Sequence, residues 1–297
     1  MENGKVKIFH LPPKMSNLTI RTLSGALFVA TILLLLFMGE WWAALLILLL
    51  IVIATKEFLR ITNGTKFSIT SAVTLLFSAS IYILSHLYVA NRVDKSYFLL
   101  LPPLYLAVVL SILFSKESLP NRSSGSNFKE GLLHLAAPLY IAVPLSLIPL
   151  ILFDRLGNYT PLPLLSLFIL LWSGDVGAYL IGTKFGQKRE NRLAPSISPK
   201  KSWEGFWGGL LFVLITLLLI RTTPLFPYPL LHSIAIATLL YLLSVAGDLF
   251  ESLIKRNFNV KDSGAIIPGH GGVLDRIDGA LFAFPMAIGY INFFQLI

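Results

Sequence analysis

Long apolar runs, each close to the length that a helix needs to cross a bilayer, divide this 297-residue chain. The hydrocarbon core requires roughly 20 apolar residues per helical span. Hydrophobic residues make up 55% of the chain and charged residues only 13%, a balance far from that of soluble domains. The sequence therefore predicts an all-α polytopic integral membrane protein of about nine transmembrane helices. The predicted spans are 21–38, 41–55, 67–89, 96–114, 130–153, 161–183, 205–221, 230–250 and 276–296.

The basic residues predict how these helices are oriented. Short cytoplasmic loops are rich in Lys and Arg. With the N-terminus inside, all of the 24 Lys and Arg residues fall in inner segments except Arg92, Lys95, Arg155 and Arg221. We therefore expect a cytoplasmic N-terminus and an outside C-terminus. The net charge of +9 follows mostly from this bias, so nucleic acid is not expected as a partner.

The chain has no cysteine, which excludes disulfides, thiolate nucleophiles and Cys-ligated metal sites.

The distribution of acidic residues divides the chain into regions. More than half of the 15 acidic residues lie between Asp175 and Asp278. We expect a polar lead-in at 1–20, a transmembrane scaffold of about five helices at 21–160, and a catalytic region of about four helices with two cytoplasmic loops at 161–297.

One polar stretch, Ser252 to Asp278, stands out because charge is costly at a bilayer. Asp275 and Asp278 are three residues apart, so a helix presents them on one face. Asp248 ends the preceding span on the same side of the membrane. Carboxylates that converge from two helix ends favour Mg²⁺, with room for a second cation. The alternative is a structural ion network with Lys255, Arg256 or Arg276.

A glycine-rich turn, Pro268 to Gly272, precedes the last span. Gly271 and Gly272 let backbone N–H groups approach an anion, and the following helix N-terminus favours negative charge. His270 in this turn either contacts a phosphate or caps the turn. Four nearby residues, Ser252, Lys255, Arg256 and Lys261, are further candidates for a polyphosphate. Ordinary inner-loop bias explains the basic ones equally well.

A second candidate cluster surrounds the sixth span and the loop after it. Asp175 is an intramembrane carboxylate above a small-residue face. The loop that follows carries Ser198, Lys200, Lys201 and Ser202. These residues either bind an anionic headgroup or begin the seventh span.

The motifs together resemble a known family. Ser252-x-Ile254-Lys255-Arg256, Lys261-Asp262-x-Gly264 and Ile267-Pro268-x-His270-Gly271-Gly272-Val273-x-Asp275-Arg276-Ile277-Asp278 are similar to the C-terminal signature of CTP:phosphatidate cytidylyltransferases, or CDP-diacylglycerol synthases. The Asp175–Tyr179 run and the Ser198–Gly205 loop also resemble that family. The specific resemblance covers about residues 170–280.

The resemblance implies an integral membrane enzyme that condenses CTP with phosphatidic acid, requires Mg²⁺ and forms CDP-diacylglycerol and pyrophosphate. Its site would face the cytoplasm, at the plasma membrane if the source is bacterial, and membrane lipids would surround it. Small-residue faces such as Gly208-Gly209 leave room for a homodimer. The expected catalytic residues are Asp248, Lys255, Asp275 and Asp278, with Asp248, Asp275 and Asp278 as metal ligands. The expected substrate-binding residues are Asp175, Ser198, Lys200, Lys201, Ser202, Ser252, Arg256, Lys261, Asp262, His270, Gly271, Gly272 and Arg276.

Two alternatives stay open at this point. One is a related enzyme that uses CTP on an ether-linked or polyprenyl acceptor, either as a cytidylyltransferase or as a kinase. The other is an ion-coupled transporter in which Asp175 and Asp248 relay a cation. Transporters more often place charge near the bilayer midplane in both halves, whereas here it gathers at the inner helix ends.

Overall fold

The computed structural model describes residues 17–64, 67–113, 124–154, 156–186 and 191–296, and it is almost entirely helical. The long helices are α1 (Asn17–Phe37), α2 (Glu40–Asn63), α3 (Ile69–Val89), α4 (Leu101–Leu113, after a 3-10 turn at Lys95–Leu100), α5 (Ser124–Ala137), α8 (Leu162–Ile181), α9 (Trp203–Ile220), α10 (Leu230–Asn257) and α11 (Leu274–Phe293). Two short helices, α6 (Val143–Ser146) and α7 (Pro149–Leu152), continue α5. Gly39 and Gly64, both with positive φ, flank α2 as its N-cap and C-cap.

Each predicted span coincides with helix in the described residues, which confirms an all-α polytopic membrane fold. Seven helical segments are long and apolar enough to cross a bilayer: 40–63, 69–89, 95–113, 131–152, 162–186, 203–220 and 230–257. The apolar part of α1, 22–37, is shorter, and α11 carries three charged residues in its first turns. The count of nine spans and the placement of the termini stay predictions.

Two helices continue well past the predicted edges of their spans. α2 was predicted to end at residue 55 and α10 at residue 250, yet they reach Asn63 and Asn257. The extensions are polar in sequence, but Glu57, Glu251 and Lys255 within them are buried. A helix persists beyond its apolar run when its polar side chains find partners inside the protein, because those contacts replace water.

The fifth predicted span is not one regular α-helix. Pro138 opens a π-helical turn, Pro138–Ala142, between α5 and α6, and Pro144 lies within α6. A proline removes one backbone donor and disturbs the regular ladder of hydrogen bonds. Tyr140 within this turn packs against Phe250 and Phe282 of the second half of the chain.

A small β-hairpin, which the all-helical prediction did not include, follows the sixth span. A π-helical turn at Gly182–Gly186 ends that span. Strands β1 (Arg192–Ala194) and β2 (Ser198–Ser202) then pair antiparallel. Ser202 closes the hairpin and begins α9, because its hydroxyl accepts a hydrogen bond from the N–H of Gly205 at 3.2 Å. The hairpin presents Lys200 and Lys201 beside the helix ends.

Glycines set the close approach of the last helices. A Cβ on Gly247 of α10 would lie 2.5 Å from the Asp278 carbonyl oxygen and 3.2 Å from the Gly279 Cα of α11. Small residues let two helix backbones approach closely in membranes. Asp248 follows Gly247 directly, so this crossing places Asp248 beside Asp278.

The glycines of α9 are used in the same way. Gly208 packs against Ile181 and Gly209 against Tyr241, both within this chain. The small-residue face that suggested self-association is therefore occupied internally. A homodimer stays a prediction that this face does not support.

Candidate active site

One polar cavity of about 530 Å³ lies where α8, α9, α10, α11 and the hairpin meet. Several predicted site residues line it: Asp175, Lys200, Lys201, Ser202, Asp248, Lys255, Asp262, Asp275, Arg276 and Asp278. Its apolar wall includes Leu171, Leu193, Phe206, Tyr241 and Val245. The cavity thus joins acidic groups, basic groups and an apolar surface.

Three carboxylates, Asp175, Asp248 and Asp278, face this cavity, and we call them the open cluster. They are close enough for each to repel the others electrostatically. The Asp278 carboxylate accepts a hydrogen bond from the N–H of Gly279 at 2.7 Å, and within the described residues no Lys or Arg forms an ion pair with it. A positive charge near these three carboxylates would offset their mutual repulsion.

Asp248 in the open cluster has one basic neighbour. The Nζ of Lys201 lies 2.7 Å from its carboxylate, and the Ser252 hydroxyl donates to it at 3.3 Å. The Asp248 side chain is 42% exposed. The pair is partly exposed, and exposed ion pairs contribute only about 0–1 kcal/mol, so this contact adds little to the stability of the fold.

A second group of carboxylates, Glu57, Glu251 and Asp275, has buried side chains, and we call it the closed cluster. Of these three, Asp275 also lines the cavity. Lys255 forms ion pairs with Glu251 and, at 2.6 Å, with Asp275. The other oxygen of Asp275 accepts hydrogen bonds at 2.8 Å from the Ser263 N–H, the Ser263 hydroxyl and the Gly272 N–H. Protein donors thus satisfy both oxygens of Asp275.

Glu57 of α2 completes the closed cluster from the first half of the chain. Its carboxylate accepts hydrogen bonds from the N–H groups of Val273 at 3.1 Å and Leu274 at 2.8 Å. The Ser263 hydroxyl lies 3.3 Å from it. An acidic side chain therefore caps the N-terminus of α11, where backbone N–H groups lack helical partners.

The glycine-rich turn holds these internal carboxylates. The Gly272 N–H donates to Asp275, and a Cβ on Gly272 would lie 2.5 Å from both Glu57 oxygens. Gly271 has a φ of +83°, and a Cβ there would lie 2.5 Å from Asp275. The Gly272 N–H thus binds the internal carboxylate of Asp275, and Glu57 accepts the two N–H groups that follow the turn. The predicted binding of substrate to Gly271 and Gly272 stays untested.

Other predicted residues lie away from the cavity wall. His270 packs against α1, where its Nδ1 is 2.9 Å from the Ser24 hydroxyl. The Arg256 side chain donates to the carbonyls of Ile197 at 3.4 Å and Val260 at 3.5 Å, and so links α10 to the hairpin. Outside the cavity lining lie Ser198, Ser252, Arg256, Lys261, His270, Gly271 and Gly272. Their assignment to substrate stays a prediction.

Sequence reasoning missed Glu57. The buried positions of α2 include Leu50, Ala54, Glu57 and Phe58, spaced by three and four residues. This periodicity is that of a helix face turned to the protein interior, and it places Glu57 on the buried face. A lone acid on an otherwise apolar buried face needs a partner. The position of Glu57 on a buried face could therefore be predicted from the sequence, but the groups that it contacts could not.

The fold and the cavity together define a polytopic membrane protein whose polar site joins carboxylates with lysines at helix ends. The chain belongs to the cytidylyltransferase family, whose model matches residues 19–294. The resemblance noted in the sequence motifs is thereby confirmed.

Named relatives are similar to part of this chain. A phosphatidate cytidylyltransferase of Haemophilus influenzae is 43% identical over 152 residues, 48% of this chain and 51% of that protein. Phosphatidate cytidylyltransferases of Bacillus subtilis and Pseudomonas aeruginosa are 42% identical over 117 residues and 43% identical over 124 residues, respectively. These segments cover 39% and 41% of this chain and 42% and 45% of those proteins. The chain therefore matches about half of the length of these relatives or less.

Proposed function

We propose that this protein transfers the cytidylyl group of CTP to phosphatidic acid, giving CDP-diacylglycerol and pyrophosphate. The observation that carries the proposal is the single cavity that brings the open cluster, Lys200, Lys201 and Arg276 together beside an apolar wall. Membership of the cytidylyltransferase family and the names of the similar proteins support the choice of nucleotide and lipid.

The charges of the cavity suit two phosphorylated substrates. Lys200, Lys201 and Arg276 would neutralise the phosphate of the lipid and the triphosphate. The apolar wall at Phe206, Tyr241 and Val245 would contact the glycerol backbone and the first acyl carbons. We infer that the lipid enters sideways from the bilayer and that CTP enters from the cytoplasm.

The donor set of the open cluster fits a hard divalent cation such as Mg²⁺. Asp248 and Asp278, with Asp175 beside them, would hold it, because Asp278 has no ion-pair partner among the described residues and carboxylate oxygens are the ligands that Mg²⁺ prefers. Bound Mg²⁺ would supply charge neutralisation for the triphosphate and for the pyrophosphate leaving group. The charge of three carboxylates would also suit a second cation.

Asp275 does not fit the predicted role of metal ligand in this arrangement, because protein donors satisfy both of its oxygens. No group of three or more His, Cys, Asp or Glu side chains in the described part of the chain is already arranged around a metal-sized gap. Coordination would therefore depend on oxygens of the substrate as well as on the open cluster. We assign Asp275 instead to holding Lys255 and the loop.

The reaction itself needs positioning more than a protein base. A phosphomonoester has a second pKa of about 6 and is largely dianionic at neutral pH. One of its oxygens would attack the α-phosphorus of CTP in line. The new oxygen–phosphorus bond forms as the bond from the α-phosphorus to the bridging oxygen breaks, and pyrophosphate leaves with that electron pair. Lys200, Lys201 and Arg276 would hold the reacting phosphates together.

We further propose that the cavity opens at the cytoplasmic face, with the N-terminus inside and the C-terminus outside. The excess of Lys and Arg in the inner segments supports this orientation. Residues 161–297 would form the catalytic region and residues 21–160 the scaffold, apart from Glu57, which reaches the catalytic loop.

The test is a labelling experiment on purified protein in liposomes with Mg²⁺. CTP labelled at the α-phosphorus should transfer its label to phosphatidic acid, and CTP labelled at the γ-phosphorus should not. Lipid labelled from the γ position would indicate a kinase. Label on ether or polyprenyl phosphates in preference to phosphatidic acid would change the acceptor. Substrate uptake without consumption of CTP would favour a transporter. Chelation of divalent cations should abolish the transfer.

A further inference from the structure

We infer that Glu57, in the first half of the chain, is a positioning residue for the catalytic cavity. It fixes the start of α11 and thereby the place of Asp278. This inference rests on the proposed function, because Asp278 matters only if the cavity binds a metal–nucleotide complex. Glu57 itself does not line the cavity.

Glu57 contacts the backbone where the loop joins α11. Its two oxygens accept the N–H groups of Val273 and Leu274, the last loop residue and the first residue of α11. The side chain is 5% exposed, so these hydrogen bonds face little competition from water. A charged acceptor also makes stronger hydrogen bonds than a neutral one.

The loop is shaped around this carboxylate. A Cβ on Gly272 would lie 2.5 Å from both Glu57 oxygens, and a Cβ on Gly264 would also overlap the carboxylate. Any larger residue at either position would have to displace Glu57 or the loop. Two glycines that are separated in sequence thus leave space for the same side chain.

A chain of hydrogen bonds connects Glu57 to the rest of the closed cluster. The Ser263 hydroxyl lies 3.3 Å from Glu57 and 2.8 Å from Asp275, and Asp275 in turn pairs with Lys255 of α10. The carboxylate of α2 therefore joins α11 to α10 through the loop.

The start of α11 determines where Asp278 lies. Asp278 is four residues after Leu274, about one helical turn, and it lines the cavity together with Asp248. A shift of the first turn would move Asp278 relative to Asp248. Misplacement of a reacting group by about 1 Å can cost about 100-fold in rate.

The experiment compares Glu57→Gln with Glu40→Gln in full-length protein in liposomes. Both acids belong to α2, but Glu40 lies at the opposite end and pairs with Arg92. In Glu57→Gln an amide NH₂ would face a backbone N–H, so one hydrogen bond and the charge at the helix N-terminus are lost. We expect kcat/KM to fall about tenfold to a hundredfold and the Mg²⁺ concentration for half-maximal rate to rise. Glu40→Gln should match the wild type.

Amide hydrogen exchange gives a readout that does not depend on activity. The N–H groups of residues 272–275 should exchange faster in Glu57→Gln, while α8 and α9 keep their wild-type protection. A purely structural role would instead accelerate exchange throughout the molecule and leave the Mg²⁺ dependence of the remaining folded enzyme unchanged. That result, or wild-type kinetics in Glu57→Gln, would overturn the inference.

If Glu57→Gln does not fold, Ser263→Ala tests the same inference. It keeps Glu57 and removes only the hydroxyl between Glu57 and Asp275. We expect a smaller change in the same direction in both the Mg²⁺ dependence and local exchange, and no change in either would refute the inference. A wild-type protein that forms no labelled lipid would refute the proposed function, whereas the exchange measurement would still report on Glu57.

Discussion

The open and closed clusters each contain three carboxylates and share the helices α10 and α11, yet their surroundings differ. Asp248 and Glu251 are three residues apart on α10, as are Asp275 and Asp278 on α11. Asp248 and Asp278 face the cavity with their charges only partly compensated. Glu251 and Asp275 are bound to Lys255, and their side chains are 1% and 6% exposed.

This difference in surroundings shows why one carboxylate near a membrane stabilises the fold while another can bind a ligand. Both clusters are acidic, so charge alone does not distinguish them. In the closed cluster protein donors fill the oxygens of Asp275, which leaves nothing to bind a ligand. In the open cluster like charges repel one another, and a bound divalent cation would relieve that repulsion.

Asp278→Asn should have the largest effect, and it tests the contrast between the two clusters most directly. We expect the rate of cytidylyl transfer to fall by at least about 10³-fold, because the open cluster loses a metal ligand worth several kcal/mol at the transition state. The melting temperature should change little, since the substitution removes a carboxylate that no basic residue in the described chain pairs with. Radiolabel transfer and thermal melting of the same sample measure both effects. An active Asp278→Asn enzyme would remove the metal hypothesis.

Asp275→Asn should differ from Asp278→Asn in stability. The substitution breaks the ion pair between Asp275 and Lys255 in a buried site, and breaking a buried ion pair costs about 3–5 kcal/mol. We expect activity to be lost together with a fall in melting temperature of more than about 5 °C. A melting curve that matches that of Asp278→Asn would mean that the two clusters are energetically equivalent, contrary to the structure.

Lys201→Ala should have an intermediate effect on catalysis and almost none on stability. Its pair with Asp248 is partly exposed and contributes about 0–1 kcal/mol to folding. A charge-assisted contact to substrate phosphate is worth about 1.5–3 kcal/mol, so kcat/KM should fall about tenfold to a hundredfold. Steady-state kinetics at varied CTP and varied phosphatidic acid would show which substrate loses affinity. Unchanged constants for both would exclude Lys201 from phosphate binding.

Arg92→Ala should have the smallest effect and serves as the control for the series. Arg92 does not line the cavity; its exposed side chain pairs with Glu40 and lies over the Trp41 ring at 4.9 Å. We expect wild-type kinetics and a change in stability below about 1 kcal/mol. A marked loss of activity would show that the two ends of the molecule are coupled.

Much of this arrangement could be predicted from sequence. Hydropathy located the helices, because apolar run length is a local property. The charge-rich stretch from Ser252 to Asp278 indicated the site region, and Asp248 and Asp278 do line one cavity. The helical prediction missed the hairpin at residues 192–202, whose lysines reach the cavity, because short strands in a loop leave little periodic signal.

The division between the clusters was not predictable in the same way. Residues three apart share a broad face of a helix, but they differ by one turn in depth and by about 60° in direction. That difference in depth and direction places Asp275 in the closed cluster and Asp278 in the open cluster. Glu57 lies 206 residues from Ser263 in the chain, so no local pattern linked them.

The sequence by itself determined that this chain is a helical membrane protein with an acidic and basic region near its C-terminal spans, because hydropathy and charge act locally along the chain. Only the tertiary structure decided which carboxylates are buried against protein donors and which can bind a ligand. That choice depends on which donors the fold brings to each oxygen. Asp275 receives Lys255 of α10 and N–H groups of the loop, and Glu57 receives the N–H groups at the start of α11.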